Sequence, residues 1–161
     1  MDGRSSHREL GIAWVGLCLA IAAHVIDEAL TNFLSVYNPS VTAMRQRWSW
    51  FPMPTFEFRI WLAGLIAFVL LLLLLSPLAF RGVHAIRPVA WFLSILMIAN
   101  VIGHTLATIF GRTAESVHFA RPAPGFYSSP LLLIASVYLI VQLRRTARIA
   151  SVAKMAQANM G

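Results

Sequence analysis

The sequence has little charge and a single cysteine. Charged residues make up 12% of its 161 residues, while hydrophobic residues make up 58%. Because Cys18 has no partner in the chain, an intramolecular disulfide and a cysteine-based metal site are both excluded. This composition is typical of an integral membrane protein and excludes an ordinary soluble globule.

Acidic residues are especially scarce, with six against thirteen lysines and arginines, a net charge of +7. The basic residues stand singly or in pairs at the ends of apolar runs. This spacing favours a role in membrane topology and contact with anionic lipid headgroups, so we expect the lipid bilayer as a partner and no nucleic acid.

Apolar runs predict an all-α polytopic membrane protein, one domain with four transmembrane helices in a bundle. The predicted helices cover residues 10–36, 56–80, 88–110 and 126–143. A basic tail, 144–161, either extends the last helix or lies on the membrane surface. The first run resembles a signal peptide, but it continues to about residue 36, so we interpret it as a retained anchor.

The connection over residues 38–55 combines arginine, tryptophan and proline. Such a segment cannot continue a spanning helix and suits the headgroup level of a membrane. An interfacial anchor is the simpler interpretation, and a lid over a binding site is the alternative.

Four spans place both termini on one side of the membrane. Eight basic residues fall on that side and five on the other; the eight are Arg4, Arg8, Arg81, Arg87, Arg144, Arg145, Arg148 and Lys154. The positive-inside rule therefore predicts cytoplasmic termini.

Polar residues interrupt the first apolar run at His24, Asp27 and Glu28. At about 100° per residue, the three side chains fall within roughly a third of a helix circumference. A carboxylate at membrane depth costs roughly 2.5–3.5 kcal/mol on insertion scales, so we expect both acids to be protonated, paired or metal-bound. Titratable groups retained at such a cost indicate a functional site.

The third predicted helix carries a second polar face with Asn100 and His104. At 1.5 Å per residue, His24 lies roughly 20 Å into the first helix and His104 roughly 24 Å into the third, which are similar depths. Polar residues at the outer starts of the other two helices approach the same level, which predicts a pocket open towards the extracytoplasmic side. The expected reactive groups are His24, Asp27, Glu28, Asn100 and His104. The expected substrate-binding residues are Glu57, Arg59, Tyr127 and Ser128.

Three short motifs summarise these positions. They read His24-Val25-Ile26-Asp27-Glu28, Asn100-Val101-Ile102-Gly103-His104 and Pro124-Gly125. In order and spacing they resemble the HXXEE family of small bacterial integral membrane proteins, which is marked by His-x-x-Glu-Glu, Asn-x-x-x-His and Pro-Gly. Asp27 replaces the first glutamate of that pattern and shortens its reach by one methylene. The resemblance implies a multi-pass protein of the bacterial inner membrane with these site residues, and it implies no particular reaction.

The cluster favours a membrane-embedded enzyme that isomerises, cyclises or hydrolyses an apolar, lipid-like small molecule. Carboxylates and imidazoles in a low-dielectric pocket have their pKa values driven apart, which keeps one group a proton donor and another a base. In such an enzyme His24 and Glu28 form a donor–acceptor pair and Asn100 orients water or a substrate oxygen. His104 would serve as the second acid or base.

A divalent metal is an equally favoured version of this hypothesis. Two histidines and two carboxylates suit zinc, iron or manganese, with His24, Asp27, Glu28 and His104 as ligands. Against it, the chain lacks the repeated Glu-x-x-His pairs of di-iron helix bundles.

Two further functions stay open. One is a proton- or cation-coupled transporter or sensor, for which four spans are few unless the protein forms a homo-oligomer. The other is a non-catalytic role, either as a membrane binding protein or as a structural protein whose polar groups hydrogen-bond the first helix to the third. Five polar groups at one depth exceed what helix packing requires, and this favours the enzyme.

Overall fold

The computed structural model describes residues 3–158. Its helices are α1 (Gly3–Leu30), α2 (Leu34–Arg47), α3 (Phe58–Leu74), α4 (Ser76–Phe80), α5 (Ile86–Phe110) and α6 (Ser129–Ala158). A short antiparallel hairpin, β1 (Arg112–Ala114) and β2 (Val117–His118), connects α5 to α6. Within the described residues this hairpin is the only strand structure, so the predicted all-α class is confirmed.

Four helical stretches are long and apolar enough to cross a membrane, namely Ser5–Leu30, Phe58–Phe80, Ile86–Phe110 and Ser129–Ile149. Large apolar side chains cover their outer surfaces. Leu74 is 77% exposed, Phe92 65% and Ile134 67%. In water such a surface would drive aggregation, whereas lipid chains solvate it without cost. The predicted bundle of four membrane-spanning helices is therefore confirmed.

Helix α1 is the centre of the bundle. It packs against α6 on one side and against α3 and α4 on the other, while α5 packs against α6. Trp14 on α1 is 1% exposed, and its indole Nε1 donates a hydrogen bond to the Leu72 carbonyl oxygen at 3.0 Å. That carbonyl lies in the last turn of α3 and also accepts from the Leu75 amide at 3.2 Å.

The first predicted helix, 10–36, is wrong at both ends. It begins at Gly3 and stops at Leu30, followed by a turn over residues 31–33. Asn32 has a φ of +57°, and the Phe33 amide donates to the Glu28 carbonyl oxygen at 2.9 Å. This is the Schellman arrangement that ends helices at a left-handed residue. An apolar run thus continues past a helix stop that hydropathy does not detect.

The connection over residues 38–55 is helical as far as Arg47, because α2 continues through Pro39. From Trp48 to Glu57 the chain is non-helical. Asn38 holds this segment against α2, since its Nδ2 donates to the Phe56 carbonyl oxygen at 2.9 Å and its Oδ1 accepts from the Phe56 amide at 3.0 Å. Burial raises the pKa of Tyr37, although nearby Arg45 lowers it in part, and the Tyr37 hydroxyl donates to the Pro54 carbonyl oxygen.

The remaining boundaries differ less. The second predicted helix, 56–80, is divided at Leu75, because Pro77 has no N–H to continue the ladder of α3. The third, 88–110, begins two residues earlier, at Ile86. The fourth, 126–143, begins at Ser129 and continues to Ala158, so the first part of the 144–161 tail extends the helix; residues 159–161 lie outside the described chain.

Candidate functional site

His24 and His104 lie at equal depth in neighbouring helices. Each is six residues before the last residue of its helix, Leu30 in α1 and Phe110 in α5. At 1.5 Å per residue both imidazoles are about 9 Å from those helix ends. Their ring centroids are 5.0 Å apart and the planes meet at 79°. The two polar faces predicted from helical spacing therefore meet near one end of the bundle.

Glu28 lies between the two histidines. Its Oε1 is 3.4 Å from His24 Nε2 and 3.3 Å from His104 Nε2. One ligand-type atom from each of the three residues lies within 4.8 Å of the others. His24 is 4% exposed, Glu28 5% and His104 7%. This arrangement, a carboxylate oxygen and two imidazole nitrogens facing a common point inside the protein, is here called the His–Glu–His cluster.

The other ring nitrogen of His24 is held by Ser128. His24 Nδ1 lies 2.8 Å from Ser128 Oγ, which in turn donates to Asp27 Oδ2 at 2.8 Å. The backbone amide of Ser128 donates to the same Asp27 oxygen at 2.8 Å. The hydroxyl proton of Ser128 has two oxygens that can only accept it, Asp27 Oδ2 and, at 3.3 Å, the Gly125 carbonyl oxygen. Ser128 Oγ then accepts from His24, and the proton of the neutral ring lies on Nδ1.

The proton on Nδ1 leaves a lone pair on His24 Nε2, facing the cluster. That nitrogen is buried and has no hydrogen-bond partner among the described residues. It faces an acceptor, Glu28 Oε1, so two electron-rich atoms point at each other inside the bundle. Such a pairing requires a cation or a proton between them.

The distances within the cluster are compatible with a bound metal ion. Charge-assisted N–H···O bonds are about 2.7–2.9 Å long, shorter than both contacts to Glu28. Zinc–nitrogen bonds of about 2.0–2.1 Å at tetrahedral angles separate neighbouring ligand atoms by about 3.3 Å. The two contacts to Glu28, 3.4 and 3.3 Å, are close to that edge length, and all three ligand atoms lie within 4.8 Å of one another.

Gly125, in the loop before α6, closes one side of the cluster. Its φ is +81°, and a Cβ atom there would lie 2.7 Å from His104 Cε1 and 2.9 Å from Glu28 Cγ. Its amide donates to Thr31 Oγ1 at 3.1 Å, which ties the loop to the end of α1. Only glycine combines this conformation with so close an approach.

A cavity of about 260 Å³ adjoins the cluster on the His104 side. Phe33, Asn100 and Gly103 line it together with His104, and the Phe33 ring lies 5.8 Å from the His104 ring. Asn100 Oδ1 is buried without a hydrogen-bond partner among the described residues. A buried acceptor beside a cavity is satisfied by water or by a ligand that donates a hydrogen bond.

The structure brings together some of the predicted site residues and separates others. His24, Glu28, Asn100 and His104 lie at the cluster or its cavity. Asp27, predicted as a metal ligand, is outside the group of ligand atoms, because its carboxylate accepts two hydrogen bonds from Ser128. Ser128, predicted to bind substrate, instead supports His24.

The other predicted substrate-binding residues are all exposed: Glu57, Arg59 and Tyr127. None of them lines the 260 Å³ cavity. Glu57 and Arg59 lie where the chain enters α3, which packs on α1 and leaves its charged start at the surface. Phe33, which does line the cavity, was missed because its position depends on the turn after α1, and an isolated phenylalanine gives no signal in the sequence.

Comparison of the chain with protein-family models, with curated proteins and with solved structures finds no match.

Proposed function

We propose that this protein is a membrane-embedded, metal-dependent enzyme that hydrolyses a lipid-like substrate at the His–Glu–His cluster. Membership of the HXXEE family, which the three motifs suggest, is part of the proposal. The observation that carries it is the convergence of buried His24, Glu28 and His104. One ligand-type atom of each lies within 4.8 Å of the others, and Glu28 Oε1 is 3.4 and 3.3 Å from the two Nε2 atoms.

The three ligands, two histidines and one glutamate, favour zinc over iron and manganese. Two imidazoles and one carboxylate are the ligands of catalytic zinc sites, in which the fourth position is left for water or substrate. Bound there, the ion would supply an activated water at neutral pH and polarise an oxygen of the substrate. A bound cation also offsets the cost of the Glu28 charge inside the bundle.

Residues around the ligands complete the arrangement. Metal-binding histidines usually donate their second N–H to a hydrogen-bond acceptor that fixes the ring, and Ser128 with Asp27 does this for His24. The unpaired Asn100 Oδ1 is placed to accept a hydrogen bond from the attacking water or from a substrate hydroxyl. Apolar walls, including Phe33 and Ala107, suit a lipid-like chain.

Acid–base catalysis without a metal is the second candidate, and the shared contact of Glu28 with both imidazoles favours it. One of the two imidazoles could donate a proton to a substrate while the other imidazole accepts a proton from it. Isomerisation is the reaction that this chemistry would perform. The two candidates differ in whether the purified protein holds a stoichiometric ion.

Elemental analysis separates them. The protein is purified in mild detergent without a metal-affinity column, and its zinc, iron and manganese contents are measured per chain. We expect about one ion per chain in the wild type. Glu28→Gln removes the negative ligand and His104→Ala one imidazole, so both variants should lose the ion.

His84→Gln is the matched control, because His84 is an exposed histidine outside the cluster and should leave the metal content unchanged. A well-folded wild type without stoichiometric metal, even after incubation with zinc, would contradict the metal site and leave acid–base catalysis. Release of a fatty acid or alcohol from lipid-ester substrates, absent in Glu28→Gln, tests the hydrolytic activity.

A further inference from the structure

A second, larger cavity lies beside the first. It measures about 690 Å³ and is formed by the end of α2 and the hairpin that follows α5. Arg47, Trp48, Phe110 and Arg112 are among its lining residues. This outer cavity has a size that accommodates a small-molecule group rather than a single water or ion.

The outer cavity carries unpaired positive charge. Among residues 3–158, no carboxylate lies within ion-pair distance of the Arg47 or Arg112 guanidinium, and Arg47 packs over the Trp48 ring at 5.8 Å. Glu115 is the only acidic residue in the lining. Two guanidinium groups against one carboxylate leave a net positive site, and guanidinium groups bind phosphate oxygens in bidentate fashion.

Thr113 connects the outer cavity to the inner one. It lines both, and its hydroxyl is hydrogen-bonded to that of Ser40 on α2. A ligand whose charged end lies beside Arg47 and Arg112 could therefore extend past Thr113 towards His104. Arginine and tryptophan at a helix end are typical of the headgroup level of a membrane.

We infer that the outer cavity binds the phosphate headgroup of an acidic phospholipid-like substrate, whose reacting part then lies in the inner cavity beside the His–Glu–His cluster. The assignment of this lipid as substrate rests on the proposed function. The binding of the headgroup stands on the cavity and its two arginines alone.

Native mass spectrometry of the detergent-purified full chain tests the inference. The protein is incubated with phosphatidylglycerol or with phosphatidylcholine, and retained lipid is counted per chain. We expect phosphatidylglycerol to be retained preferentially and its apparent affinity to fall at least tenfold in an Arg47→Gln/Arg112→Gln variant. Arg45→Gln is the matched control, because Arg45 is an exposed arginine on α2, the helix of Arg47, and does not line the cavity. This variant should bind the lipid as the wild type does.

Three outcomes would overturn the inference. One is equal retention of both lipids, and another is unchanged phosphatidylglycerol binding in the double variant. The third is arginine-dependent binding of inorganic phosphate without retention of the lipid, which would assign the cavity to a small free anion. Metal content is measured on the same samples, so that failure of the headgroup site and failure of the metal-dependent enzyme can be distinguished. A metal-free protein that still binds lipid through the two arginines would contradict the metal-dependent enzyme and leave the headgroup site intact.

Discussion

His24 is held at both nitrogens of its imidazole ring. Nδ1 lies against Ser128, whose hydroxyl proton is directed to Asp27, and Nε2 faces Glu28. The contact with Ser128 favours a proton on Nδ1. The lone pair on Nε2 then points at Glu28. Asp27 therefore influences the cluster through a serine, without touching it.

This chain of hydrogen bonds from Asp27 through Ser128 to His24, here called the relay, predicts a specific effect of Ser128→Ala. Without the hydroxyl, His24 loses the acceptor for its Nδ1 proton, and its ring is free to rotate or change tautomer. Loss of such outer contacts typically lowers metal affinity about 10- to 100-fold. Zinc affinity is measured by competition with a chromophoric chelator.

Ser136→Ala serves as the control for Ser128→Ala. Ser136 is a fully buried serine on α6, eight residues after Ser128, and its hydroxyl bonds only to the Leu132 carbonyl oxygen. This control should retain wild-type affinity. If both variants bind zinc equally well, the relay does not set the state of His24.

Helical spacing could predict which of these residues share a face, and equal depth could predict that His24 meets His104. The contact from Ser128 could not be predicted, because it depends on how the loop before α6 returns to α1. The same holds for Gly125, whose motif is visible in the sequence but whose approach to Glu28 and His104 is a tertiary fact.

The stop after Leu30 is the element that most alters the predicted fold. Because α1 ends there, the Phe33 ring lies 5.8 Å from the His104 ring, and α2 begins as a separate helix at Leu34. Hydropathy alone favours one long helix to residue 36, since the residues after the turn are still apolar. The only residue that marks this helix end is Asn32, which adopts the left-handed conformation. Most asparagines do not adopt it, so the sequence alone did not predict the stop.

Asn38 is expected to hold the following segment in place. Asn38→Ala removes both hydrogen bonds to the Phe56 backbone and leaves those groups without a side-chain partner. We expect the free energy of unfolding to fall by about 1–3 kcal/mol. Hydrogen exchange should rise over residues 48–57, measured by mass spectrometry in detergent.

Thr42→Ala is the comparison for Asn38→Ala, since Thr42 is exposed on α2 and bonds only within its helix. Exchange in the 48–57 segment should then stay at the wild-type rate. Equal exchange in the two variants would mean that the two hydrogen bonds from Asn38 to Phe56 contribute nothing to the order of this segment.

At the scale of the whole molecule, the buried histidines and the buried carboxylate of the described residues lie at one end of the bundle. The helix ends near His24 and His104 lie there, together with the start of α6 and the hairpin. Thirteen basic residues divide eight to five between the two faces, which predicts that this end faces away from the cytoplasm.

Cysteine labelling tests that orientation in a Cys18→Ala background. Ser49 in the connection after α2 and Ser151 in α6 are both exposed, and each is replaced in turn by cysteine. A membrane-impermeant maleimide should label Ser49→Cys on intact cells and Ser151→Cys only after the cells are opened. The reverse pattern would place the cluster on the cytoplasmic side.

The position of the cluster, about 9 Å from one set of helix ends, has a consequence for metal supply. An incoming ion would reach it from the compartment at that end, because the apolar core around Trp14 and Leu17 blocks the opposite route. A histidine–carboxylate site accepts several divalent metals, with affinities ordered by the metal more than by the protein. At the proposed metal site, the bound ion should therefore follow the metal content of that compartment, and protein produced in another compartment should acquire a different ion.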